Sequence, residues 1–178
     1  MRLSATEARR RFAASPRAIL ASVRPDGRPH LVPIVFALVG DTVYSAVDHK
    51  PKASVRLQRL ENLRHEPRCS LLVDHYDDDW GRLWWVRADG TAEVLDTGTD
   101  TGGTPHSGMH DAGAHRANTQ NGGTIDADVH PFGTHDGGRC DRAGMEALVR
   151  RHPSYRKHPP QGPQLRIRIS RWRGWAAA

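Results

Sequence analysis

RAILASVRPDGRPHLVPIVFALV, Arg17 to Val39, is the stretch that decides the fold. Arg17 to Val23 is apolar and β-prone. Arg24-Pro25-Asp26-Gly27 follows as a tight turn, with Pro25 fixing φ and Gly27 able to take positive φ. Pro29 to Val39 resumes as a strand, so the whole reads as a β-hairpin. Its second strand is apolar on both parities, with Val32, Ile34, Phe36 and Leu38 on one face and Leu31, Val35 and Ala37 on the other. A strand buried on both faces must be covered twice. A barrel core covers one side, and a second subunit or a flat ligand covers the other. Pro33 removes a ladder donor, which fits an edge strand.

Upstream, Ser4 and Glu7 form a capping-box pattern, and Ala5, Ala8 and Phe12 follow at helical spacing, so residues 4–14 predict a short helix ended by Pro16. Downstream, Gly40-Asp41 turns the chain into a third strand, Thr42 to Ala46. Val47-Asp48-His49-Lys50-Pro51-Lys52 then leads into a helix reaching about His65, with Ala53, Leu57, Leu60 and Leu63 on one face. Glu66-Pro67 stops it. Arg68 to Tyr76 predicts a fourth strand with Cys69, Leu71 and Val73 on one side. Asp77 to Gly81 is a loop. Leu83 to Leu95 predicts a fifth strand, bulged at Asp89-Gly90.

Between about residues 96 and 140 the composition turns to Gly, Thr, Asp, His, Ser and Asn, with Met109, Ile125, Val129 and Phe132 the only large apolar side chains. Such a segment buries too little to offset its ordering entropy, so it reads as a disordered or loosely held insertion in a single domain spanning 1–178. Arg142 to Arg151 predicts a short helix, and Pro153 to Pro163 a Pro-rich loop. Leu165 to Ser170 alternates strictly as a half-buried strand, with Trp172 and Trp175 out of phase behind it. The fold class is therefore mainly β (α+β), an antiparallel barrel or sandwich of five or six strands with two or three peripheral helices.

The net charge of +6 points to an acidic partner, which can be a nucleic acid, a membrane surface or a phosphorylated or carboxylated small molecule. The basic residues lack the aromatic interleaving of a nucleic-acid module, so no nucleic acid is expected. The longest apolar run, Leu31 to Gly40, is too short to span a bilayer, so no membrane association is expected. Two cysteines, Cys69 and Cys140, make no disulfide framework, and a reducing cytoplasmic location fits.

Four constellations can carry chemistry. Lys50 and Lys52 at a helix start are unfavourable for the helix dipole unless an anion sits between them and the helix, with Ser54 and Arg56 as further donors. Solvated surface lysines are the other reading. The doubly apolar strand around Pro33 can take a flat ring or a second subunit. Asp74-His75-Tyr76-Asp77-Asp78-Asp79-Trp80 carries carboxylates and a histidine, but adjacent aspartates read as a solvated turn, with Trp80 as a stacking or lid residue. His106, His110, His115, His130 and His135 lack a ligand spacing. No metal site is expected.

The order of these pieces resembles the FMN-binding split β-barrel superfamily of pyridoxamine 5′-phosphate oxidase-like proteins. VRPDGRPHLVPIVFAL (23–38), YSAVDHKPK (44–52), NLRHEPRCSLLVD (62–74) and LLVDHYDDDWGRLWWVRADG (71–90) look like its actinobacterial branch of F420-dependent oxidoreductases, and HPSYRKHPP (152–160) and RWRGW (171–175) look familial too. The resemblance implies a homodimer of six-stranded split barrels with cofactor sites at the dimer interface. It implies a phosphate on Lys50 and Lys52, a deazaflavin or isoalloxazine ring along Val32-Pro33-Ile34, and His75 and Trp80 near the pocket. It implies an oxidoreductase of a small-molecule substrate, with F420 as cofactor and FMN as the alternative, and with no obligatory catalytic side chain. A non-enzymatic flavin or F420 carrier is the remaining reading. Relatives join the fifth strand to the last helix by a short connection, so residues 96–140 depart from the pattern.

Overall fold

Ser4 accepts a hydrogen bond from the Glu7 backbone N at 3.2 Å and so caps α1 (Ala5–Ala14). The Glu7 side chain turns instead to Arg10 and Arg11, both at 2.7 Å, so only half of the capping box forms. The helix buries Ala8 and Phe12 against the sheet. The computed structural model describes residues 1–48, 57–96 and 140–178.

Seven strands follow: β1 (Arg17–Val23), β2 (Pro29–Val35), β3 (Ala37–Val39), β4 (Thr42–Ala46), β5 (Arg68–His75), β6 (Trp84–Leu95) and β7 (Gln164–Ala176). They lie in the order β2-β1-β5-β6-β7-β4-β3, and every pair is antiparallel. Gly27, at φ 82°, makes the β1–β2 turn with its N–H on the Arg24 carbonyl at 2.8 Å. The hairpin register runs from Arg17 opposite Val35 to Val23 opposite Pro29.

The segment read as one strand, Pro29 to Val39, is two. The break falls at Phe36, which is fully buried and stacks near Phe12 with ring centroids 4.7 Å apart. There the chain leaves β1 and pairs with β4. Counted as one bent strand it restores the six of a split barrel. The two outermost members of the curled sheet are thus consecutive in sequence. The core inside the curl joins Phe12, Leu20, Phe36, Leu71, Val86 and Ile167.

β6 and β7 share a register shift. Asp89 faces Arg171 and Gly90 faces Ile169, which leaves Ser170 as the extra residue. One extra residue exchanges inward and outward parity. Leu165 and Ile167 point inward before it, and Trp172, Gly174 and Ala176 after it. The strand therefore continues to Ala176 rather than ending at Ser170, and beyond the bulge Trp172 joins the inward parity while Trp175 faces outward. A Cβ on Gly90 would lie 2.4 Å from the Arg168 carbonyl oxygen, so the bulge closes only over glycine.

α2 (Gln58–His65) begins later than the sequence reading places it, because Leu57 is extended and acts as the cap. It is tied to β1 through Asn62, which is fully buried, donates to Ser22 Oγ at 3.0 Å and accepts from Gln58 Nε2 at 2.8 Å. α3 (Arg142–Arg151) packs its Ala147 and Leu148 with Tyr44 and Ala46 of β4 in a second apolar cluster. That explains why β4 is buried on both faces. Part of the expected Pro-rich loop is helical: α4 (Pro153–Lys157) starts on Pro153, whose missing N–H is not needed at a helix start. The segment read as an insertion, 96–140, lies outside the described residues apart from its end residues, Asp96 and Cys140. No described helix is long and apolar enough to cross a membrane.

Candidate cofactor site

Two rows of cross-strand neighbours lay out the outer face of the sheet. Pro33 stands opposite Ile19, and Ile19 opposite Leu72; Leu31 stands opposite Ala21, and Ala21 opposite Ser70. Leu31 is 61% exposed and Leu72 39%, and Pro33 is exposed beside them. The result is an uncovered apolar patch over β2, β1 and β5. Asp89 borders it, accepting from Ser70 Oγ at 2.8 Å and from Arg87 Nη2 at 3.2 Å.

Of the residues expected to hold a ring, Pro33 faces outward. Val32 and Ile34 turn into the core. A ring lying along β2 on this face meets the side chains of Leu31 and Pro33, and meets Val32 and Ile34 through their backbone only. Ile19 and Leu72 were missed by sequence reasoning. Leu72 gave a signal, an apolar residue on the outward parity of a strand whose Cys69, Leu71 and Val73 point inward.

Lys50, Lys52, Ser54 and Arg56 lie outside the described residues. The chain on either side of them is anchored. Val47 donates its backbone N–H to Pro163 at 3.0 Å and accepts from Gly162 at 3.2 Å. On the far side, burial lowers the pKa of the Arg59 guanidinium, while Asp48 and Tyr155 act to raise it.

His75, at the end of β5, shares the inward parity of Leu71 and Val73, opposite to Leu72. Its ring stacks on Trp84, with centroids 6.1 Å apart and planes 20° apart, and Nε2 lies 3.5 Å from Asp77 Oδ2. The Asp77 carboxyl is held below its ordinary value, first by the Asp79 N–H and then by Arg82 and His75. His75, Arg10, Arg82 and Trp84 line a cleft of about 620 Å³ beneath the end of α1. Arg11 reaches over the Trp84 ring there, 5.3 Å from its centroid. Trp80 sits on a short 3-10 turn, Trp80–Arg82, and is 79% exposed. Within one chain, then, Pro33 and His75 lie on opposite faces of the sheet. Among the described residues no three His, Cys, Asp or Glu side chains group to hold a metal ion.

The apolar, water-exposed patch fits the ring half of a flavin-type group. The Cys69 thiol beneath it is chemically quiet: burial first, and Asp89 second, push it up to about 12.

Comparison with known proteins follows the same line. The sequence profile of the family described as "Pyridoxamine 5'-phosphate oxidase" matches residues 5–117. No curated protein matches. Among solved structures, a FAD-binding protein from Mesorhizobium loti is 20% identical, with a TM-score of 0.57 over 98% of this chain and 93% of that one. A conserved hypothetical protein from Mycobacterium tuberculosis is 18% identical, with a TM-score of 0.57 over 98% of this chain and 85% of that one. The heme storage protein of Vibrio cholerae is 11% identical, with a TM-score of 0.54 over 96% of this chain and 90% of that one. At these identities the structural likeness speaks for the fold.

Proposed function

Because the chain belongs to the pyridoxamine 5′-phosphate oxidase family, we propose that it is an oxidoreductase holding a flavin-type cofactor, F420 ahead of FMN, against the outer face of β1, β2 and β5, and that it works as a homodimer on a small-molecule substrate. The observation that carries this reading is the uncovered patch of Leu31, Pro33, Ile19 and Leu72. Leaving apolar surface in water costs about 25 cal/mol per Å². A second barrel and a flat ring together cover such a patch.

In this reading Leu31 and Pro33 exclude water from one side of the ring. Lys50 and Lys52 neutralise the phosphate, with Ser54 and Arg56 as further donors. When bound, the cofactor supplies hydride transfer, so the protein orients and dries the site rather than providing a reacting side chain. The net charge of +6 is the reason for placing F420 first, since that cofactor carries a phosphate and a polyglutamate tail. The FAD-binding relative from Mesorhizobium loti supports FMN as the alternative.

A second reading is a carrier without turnover. It is favoured by one observation: the Vibrio cholerae relative is named for heme storage. Titration of the purified protein with F420 and with FMN, followed by fluorescence, tests both readings. Tight F420 binding together with oxidation of reduced F420 by an added acceptor supports the enzyme. Tight binding without turnover of any acceptor supports the carrier, and binding of neither cofactor refutes both.

A further inference from the structure

Beyond Arg87 and Asp89 the same outer face changes character. Asp74 stands opposite Trp85, Trp85 opposite Trp175, and Trp175 opposite Arg2. In the adjacent rows Arg87 faces Arg173 and Asp89 faces Arg171. Arg2, Trp85, Arg171, Arg173 and Trp175 line a cleft of about 460 Å³. It is separate from the cofactor patch, which lies over β2, β1 and β5.

Two properties distinguish this cleft. Trp85 is 38% exposed and Trp175 40%, although an indole of that size is normally buried or engaged. And the guanidinium groups of Arg2, Arg171 and Arg173 make no ion pair or side-chain hydrogen bond among the described residues. Elsewhere pairing is common: Arg9 holds Asp41, Arg68 holds Glu66, Arg82 holds Asp77 and Arg166 holds Glu93. Three guanidinium groups that make no ion pair line one cleft, so their N–H donors are open to an anion. The indoles between them offer flat apolar surface to a ring. Guanidinium groups grip phosphate and carboxylate oxygens through paired N–H donors. The volume lies in the usual range for small-molecule sites.

We infer that this cleft is a second ligand site, for a planar aromatic ring bearing a phosphate, of mononucleotide size. The ring stacks on Trp85 or Trp175, and the phosphate is held by Arg171 and Arg173 with Arg2 at the side. The assignment is independent of which cofactor the β2 patch holds.

The probe is adenosine 5′-monophosphate, titrated into the full chain by calorimetry, with adenosine and inorganic phosphate as separate arms. Saturable binding of the nucleotide is expected, with each half binding at least about tenfold more weakly. The double variant Arg171→Gln/Arg173→Gln is expected to weaken the nucleotide at least about tenfold. Lys52→Ala is expected to leave it within about twofold, which separates this cleft from the cofactor phosphate site. Trp175→Leu, at a half-exposed position, is expected to lose affinity while keeping its far-ultraviolet dichroism. The proposal fails if no saturable binding occurs, if phosphate alone binds as tightly as the nucleotide, or if the double variant binds unchanged. It fails equally if the double variant alters only the oligomeric state, which would make this face a contact between copies.

Discussion

Gly144, in the first turn of α3, lies flat against the ring of Tyr44: a Cβ built on it would sit 2.1 Å from Cδ1 of that ring. The ring is not free to retreat. Tyr44 donates its hydroxyl to Asp141 at 2.9 Å, and Asp141 in turn caps α3 by accepting from the Gly144 N–H at 3.1 Å. The close approach lets α3 seal the outer face of β4.

Gly144→Ala is therefore expected to destabilise the protein by about 1–3 kcal/mol through overpacking. This sign is opposite to that of an ordinary helix position, where alanine is better than glycine by about 1 kcal/mol. Urea unfolding of the variant measures it, and a raised midpoint would overturn the packing account.

Asn62→Ala is expected to cost about 1–3 kcal/mol, because it leaves the buried Ser22 hydroxyl and the Gln58 amide without their partner. The same unfolding experiment reads it. An unchanged midpoint would mean that α2 is held to β1 by Leu60 and Leu63 alone.

Stability should fall in acid, because Glu7, Glu66, Asp77 and Asp141 are all held below their ordinary values. Arg10 and then Arg11 hold Glu7 down, from 4.5 to about 2. Burial acts to raise the Asp141 carboxyl, but hydrogen bonds from Gly144, Tyr44 and Arg166 outweigh it and hold the group below 3.8. A lowered folded value means that the unfolded chain takes up the proton first. The stabilisation is thus complete above the unfolded values and is lost as pH falls through the folded ones. Unfolding midpoints are expected to drop as pH falls from about 5 to about 2. Asp141→Asn is expected to flatten part of that slope, and an equal slope in the variant would remove Asp141 from the explanation.

Lys52→Ala is expected to weaken F420 or FMN about tenfold, or about 1.4 kcal/mol, by removing a charge-assisted phosphate contact. Fluorescence titration gives the dissociation constant. An unchanged value would remove Lys52 from the phosphate site.

Leu31→Glu is expected to convert a dimer to a monomer, with unfolding of the monomeric fold within about 0.5 kcal/mol, because Leu31 is 61% exposed in the single chain. Light scattering reports the mass. A dimer that survives the substitution would place the interface elsewhere.

Most of the elements were legible because their signals are local. Ser4 and Glu7 announce α1, Pro25 to Gly27 announce the hairpin turn, and Cys69, Leu71 and Val73 alternate as a half-buried strand must. Three features were not legible. The break at Phe36 comes from a change of partner between β1 and β4, which no periodicity encodes. Helix α4 starts on a proline that also reads as a loop. The inward turn of Trp172 needs the bulge at Ser170, and that bulge exists only relative to Gly90 on another strand.

The site divides in the same way. By itself the sequence determined that β2 is apolar on both parities, since the hydrophobic pattern is a local property. The tertiary structure alone decided that Pro33 rather than Val32 or Ile34 faces outward. It decided that Ile19 and Leu72 complete the patch and that Pro33 and His75 fall on opposite faces of the sheet. Those outcomes follow from register and curl, which are set by the pairing of strands distant in sequence.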